Sequence, residues 1–74
     1  MDVRLTDHAW ERIEQEGIRR TDIDRVLEAP DRRIRDAWVE KYIRAIEGRD
    51  ICVVVTTRIP TVTLVVTAYP LRDH

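Results

Sequence analysis

The chain predicts an α+β fold, with two short N-terminal helices packed on a three- to four-stranded antiparallel β-sheet. Three observations carry this. Up to Pro30 the apolar residues fall at helical spacing, in two runs that each carry a capping residue and a breaker. After Pro30 they alternate along the chain or form short continuous apolar runs, as in strands. The turns between the later apolar runs are short, so successive strands are antiparallel neighbours.

The first helix is predicted over His8–Glu16. Thr6 or Asp7 offers an oxygen to its free amides, and Ala9, Trp10 and Ile13 share a face. Gly17 ends it, since glycine takes the left-handed conformation of a helix C-terminus at little cost. The second helix is predicted over Asp22–Glu28. Thr21 and Asp24 stand at capping-box spacing, and Ile23, Val26 and Leu27 form the buried stripe. Pro30 stops it, because the residue before a proline avoids the helical region.

Arg32–Asp36 reads as a charged edge strand, a composition that discourages sheet-to-sheet aggregation. Trp38–Ile46 follows, with Trp38, Tyr42 and Ile46 on one side and Val39, Ile43 and Ala45 on the other. Gly48-Arg49-Asp50 makes a turn, then come strands over Ile51–Thr57 and Val62–Tyr69 with Ile59-Pro60-Thr61 between them. These last two strands are apolar on both faces, which places them in the sheet centre. Two helices cover one face only. The other is closed by sheet curvature or covered by a partner, including a second copy of the chain.

Seventy-four residues make one domain, 1–74. At this size only about 60% of the unfolded surface is buried, so the stability margin is thin. The net charge of −1 lacks the basic excess of a general nucleic-acid binder. Residues 1–37 hold 8 basic and 10 acidic groups, and residues 38–74 hold 5 and 4, so neither half is a charged arm. Cys52 is the only cysteine and lies in an apolar run, where a buried, inert thiol is the default. Met1-Asp2-Val3-Arg4 is not the start of a secretion signal, and no stretch is long and apolar enough to span a membrane. The expected compartment is the cytoplasm.

The sequence carries no phosphate loop, no dinucleotide fingerprint and no serine. His8, Cys52 and His74 are too scattered to hold a metal, so neither metal nor cofactor is expected. What remains is His8 and Arg12, four apart on one helix face. A histidine that shuttles a proton and an arginine that holds a phosphate are the minimum for metal-free phosphodiester cleavage. The plainer account is a solvated helix face on which Arg12 pairs with Glu11, Gln15 or Glu16. Arg44 projects beside Tyr42, and Tyr69 closes the last strand just before Arg72. An aromatic next to arginine can stack a base and neutralise phosphate, though tyrosine also favours sheet surfaces for packing alone. Arg32, Arg33 and Arg35, flanked by Asp31 and Asp36, read as a solvated edge, and Trp10 and Trp38 as core or interface aromatics.

His8-Ala9, Arg12-Ile13, Gly17-Ile18, Val26-Leu27 and Pro30 resemble the N-terminal half of a family of small, mostly bacterial proteins, domain of unknown function 4258. Val53-Val54-Val55 and Val66-Thr67-Ala68-Tyr69-Pro70 resemble its two closing strands. The resemblance implies a fold akin to the RelE, ParE and BrnT toxins. Those relatives include ribonucleases, and each is held by an antitoxin. By that analogy His8 and Arg12 match the family's signature polar positions and Tyr69 its terminal aromatic; Arg44 matches no motif. Many members carry arginine before the Gly-Ile pair, where this chain has Glu16.

Three readings follow. In one, the chain is a toxin-like, metal-independent endoribonuclease of a toxin–antitoxin system, with RNA as substrate and an antitoxin as partner. His8 would move the proton, Arg12 and Arg44 would hold the phosphate, and Tyr69 would orient the base. In the second, it is a non-catalytic protein-interaction module, dimeric or bound to a partner, that uses the uncovered apolar face of the sheet. In the third, it is a small structural or regulatory domain with no activity alone.

Overall fold

The computed structural model describes residues 2–72, in the order β1 (Val3–Leu5), α1 (Asp7–Glu16), α2 (Arg20–Glu28), β2 (Arg32–Asp36), β3 (Val39–Ile46), β4 (Arg49–Thr56) and β5 (Thr63–Leu71). The fold is α+β, with both helices N-terminal to most of the sheet. The sheet has five strands, not three or four, in the order β1-β5-β4-β3-β2, and it is mixed. The extra strand is β1, which runs parallel to β5 with Val3 opposite Thr63 and Leu5 opposite Val65. Three residues are too few to show an alternating pattern, and the partner of β1 lies at the far end of the chain. A parallel neighbour also needs a crossover, here the long path through both helices and β2–β4.

The ends of α1 follow their local chemistry. Thr6 Oγ1 accepts from the amide of Ala9 at 3.1 Å, closing one orphan donor. Gly17 sits at φ +66°, and the amide of Ile18 reaches back to the carbonyl of Ile13 at 2.9 Å. Arg49, the first residue of β4, donates to the carbonyls of Glu16 (2.8 Å) and Gly17 (3.2 Å), placing a cation on the negative end of the helix.

Helix α2 starts two residues earlier than predicted, and the Thr21–Asp24 capping box does not form. Asp22 serves instead. Its carboxylate accepts the backbone amide of Arg19 at 3.0 Å and the Arg19 guanidinium at 3.1 and 3.3 Å. Asp24 takes Arg20. At the other end of α2, Arg44 of β3 donates to the carbonyl of Arg25.

Helices and sheet enclose one main core. Ala9, Ile13, Ile23 and Val26 from the helices meet Ile46, Ile51, Val53, Val55 and Val65 from the strands. Ile23, Val26, Ile51, Val53 and Val65 have no exposed surface, and each contributes on the order of 1.5–3 kcal/mol by burial. Val3, Leu5 and Tyr42 pack at its margin.

The opposite face carries a second, smaller cluster of Ile43, Cys52 and Val54, packed by Val39, Val66 and Tyr69. No helix covers it, yet all three central residues are buried. A register shift explains this. Val54 faces Thr67 but Val55 faces Val65, which leaves Val66 as an extra residue in β5. Such a bulge bends the strand and deepens the twist, turning the sheet over its own side chains.

The strand ends differ from prediction by a residue or two, for identifiable reasons. The β3–β4 turn is Glu47–Gly48, both left-handed (φ +51° and +82°), the signature of a tight two-residue hairpin. Strand β5 runs through Pro70 to Leu71. Proline is tolerated there because β1 pairs only with residues 63–65, so β5 is itself an edge at Pro70. Trp38 lies in the β2–β3 turn, not in a strand, and is 62% exposed. Trp10 is 44% exposed. Neither tryptophan belongs to the core.

Candidate functional site

Helix α1 lies over β5 on the main-core side of the sheet. His8 is exposed in its first turn. Arg12, one turn on, points to Glu16, with Nη2 3.7 Å from Oε1, and Arg72 takes the other oxygen of the same carboxylate at 3.5 Å. Of the three expected partners of Arg12, Glu16 is the one engaged.

Tyr69 lies on the other face of the sheet. Its neighbour Ala68 is buried beneath the helices, so strand alternation turns Tyr69 away from α1 and into the small cluster with Cys52. Arg44 stands opposite Ile51, on the helix side, and is occupied in capping α2. The four predicted site residues are therefore not gathered on one surface. His8 and Arg12 share a helix, Tyr69 is across the sheet, and Arg44 serves the fold.

On the same face of the sheet as Tyr69, the register places two cations that spacing assigns to no site. Arg32, Ile43, Cys52 and Tyr69 form one cross-strand row, and Lys41, Val54 and Thr67 form the next. Burial pushes the Cys52 thiol up, and Tyr69, Lys41 and Arg32 pull it part of the way back. Interaction with that thiol, then burial, raises the Tyr69 hydroxyl. No sequence signal marks these two cations, because Arg32 and Lys41 lie on different strands and share a face only through the pairing register.

A polar cluster lies on the helix side of β2 and β3. Tyr42 donates to Glu40 at 2.6 Å, Arg33 donates to the same oxygen at 3.0 Å, and the Arg33 guanidinium sits 5.0 Å from the centre of the Tyr42 ring. The Tyr42 hydroxyl and then Arg33 hold Glu40 below the usual carboxylate range. Burial, then the Glu40 hydrogen bond, raises Tyr42. Every polar side-chain atom fully buried among the described residues has a partner, so none is left aimed at a missing ligand. Among the described residues no pocket forms, and no group of three or more histidine, cysteine or carboxylate side chains converges. His74 lies outside the described residues.

Residues 5–70 match a family described as Domain of unknown function (DUF4258). The chain belongs to that family. No curated protein and no solved structure matches it. No helix among the described residues of this DUF4258 chain is long and apolar enough to cross a membrane.

The two edges of this DUF4258 sheet are treated differently. Arg20 donates across the β1 edge to the carbonyl of Val3 at 3.1 Å. Strand β2 is exposed at all five residues, and exposure continues through its turn. Ile34, at its centre, is 45% exposed. Beside the turn, Arg58 stacks 4.4 Å from the centre of the Trp38 ring, while Ile59 next to it is 42% exposed. The longest run of exposed residues among those described, 31–38, thus covers β2 and its turn.

Proposed function

We propose that this DUF4258 chain is a protein-interaction module of toxin-like fold, and that it docks a partner protein along the free edge of β2. One observation carries the reading: β2 presents five exposed residues with Ile34 uncovered at its centre and Trp38 uncovered in its turn. An open strand edge is a template for pairing, and the charges that flank Ile34 discourage indiscriminate pairing while leaving the edge open to a partner of complementary charge. Tryptophan and arginine at its end are the residue types that dominate binding energy at interfaces. The resemblance to RelE, ParE and BrnT toxins supports the class of partner, since those toxins are each held by a small antitoxin. The test is affinity capture from the native cell extract on immobilised wild type and on Ile34→Lys, which puts a charge on the edge without touching the core. A protein retained by the wild type and lost by the variant, at equal folded content, is the result expected. Retention of the same proteins by both would remove the edge from the account.

A second reading, RNA cleavage, is favoured by one feature: His8 is exposed one helical turn from Arg12. Its test is bacterial growth on tight induction of the wild type beside His8→Ala, Arg12→Ala. Arrest by the wild type alone would support cleavage. Equal growth at equal soluble expression would count against it.

A further inference from the structure

We propose that the partner strand received by β2 is acidic, with carboxylates opposite Arg33 and Arg35 and an apolar side chain opposite Ile34. This rests on the edge-docking reading above and adds the chemistry of the occupant.

The backbone supplies the template. In an antiparallel pair, alternate residues of an edge strand turn their N–H and C=O groups outward, free for an added strand. The side chains supply the selection. Arg33 and Arg35 stand opposite Tyr42 and Glu40, so both project on the helix side, and Ile34 projects on the other. Their side chains are 62% and 76% exposed. Both reach Glu40, Arg33 at 3.0 Å and Arg35 at 4.0 Å. Two guanidiniums sharing one carboxylate leave this side of the edge positive. An added strand sets its side chains directly opposite those of β2, where opposite charges stabilise and like charges repel. Carboxylates at alternate positions would complete the Arg33 and Arg35 pairs, and the residue between them would cover Ile34.

The same rule disfavours a second copy of the chain. Antiparallel self-pairing must match faces, so it centres on a residue. Centred on Arg32, Arg33, Arg35 or Asp36, each register sets that charge against itself. Centred on Ile34, it sets Arg33 against Arg35 twice, and its two Arg32–Asp36 pairs only offset that repulsion. An acidic strand meets no such conflict.

The experiment titrates the isotope-labelled chain with a short peptide built on threonine-aspartate-valine-aspartate-threonine, and with the same peptide carrying lysine for aspartate. The acidic peptide should shift the amides of Arg32–Asp36 and bind roughly tenfold more tightly than the lysine peptide, the effect of two cross-strand charge pairs. Arg33→Gln, Arg35→Gln should lose that preference, and Arg33→Lys, Arg35→Lys should keep it. Equal shifts of β2 by both peptides would overturn the charge inference and leave edge docking standing. Concentration-dependent shifts at β2 without peptide would overturn it in favour of a second copy. No shift at β2 with either peptide would also overturn it, with edge docking judged separately by the capture experiment.

Discussion

The Arg44 guanidinium donates to the carbonyl of Arg25 at 2.9 Å, tying β3 to the last turn of α2. A residue that sequence spacing offers as a phosphate ligand is thus occupied in closing a helix end. Arg44→Ala should lower stability, by at most about 1 kcal/mol for one partly solvated hydrogen bond. Chemical denaturation checks this. Unchanged stability with a loss of partner or RNA binding would return Arg44 to a binding role.

Gly17 makes a sharper stability prediction. A Cβ at this position would meet nothing within 4 Å, so space is not the constraint. The constraint is φ +66°, which costs an L side chain about 1 kcal/mol or more. Gly17→Ala should therefore be destabilising by about that amount, and Gly17→Asn by less, because asparagine tolerates the left-handed region. Thermal midpoints in that order would confirm it; no loss for alanine would mean the end of α1 is held by Arg49 alone.

Acid sensitivity should centre on Asp22. Burial raises its carboxyl pKa, but the hydrogen bonds from the Arg19 side chain and backbone, with the charges of Arg19 and Arg25, outweigh that and leave it lowered. A group lowered on folding contributes stability above its unfolded pKa, near 4, and loses it as pH falls through the folded value. Stability should thus fall below about pH 4. Asp22→Asn should flatten that fall and cost on the order of 1–3 kcal/mol at neutral pH, since a buried charged acceptor is lost. Denaturation midpoints measured across the acid range decide it.

The alkaline side has the opposite sign. Burial raises Cys52 and Tyr42, while the thiol interaction and burial raise Tyr69. Groups raised on folding contribute stability below their unfolded pKa and lose it as pH rises through the folded value. Stability should decline above about pH 8.5, the ordinary thiol value, and further above about pH 10. The Cys52 thiol should resist alkylation near pH 8 in the native chain and react promptly in denaturant. Rapid native alkylation would mean that the second cluster opens readily.

How far the sequence could be read follows from the range of each contact. Thr6 and Gly17 were legible because caps act within one turn. The start of α2 was not, because Arg19 closes on Asp22 with its side chain as well as its amide. Strand β1 is hidden because the residues it pairs with, Thr63–Val65, lie 60 positions along the chain. The separation of His8 from Tyr69 depends on which face of β5 meets α1, and local spacing is silent on that. The bulge at Val66, which closes the second face, is set by pairing with β4 and has no residue signature here. Trp38 falls in alternation with Tyr42 and Ile46, which predicts a strand, but a two-residue turn claims it.

The most direct measurement is backbone amide exchange of the chain alone and with its captured partner. Edge docking predicts that β2 amides turned outward exchange quickly in the isolated chain and become protected in the complex, while Ile51–Val55 of β4 stays protected in both. Protection appearing on α1 instead, with β2 unchanged, would contradict it and move the working surface to His8 and Arg12.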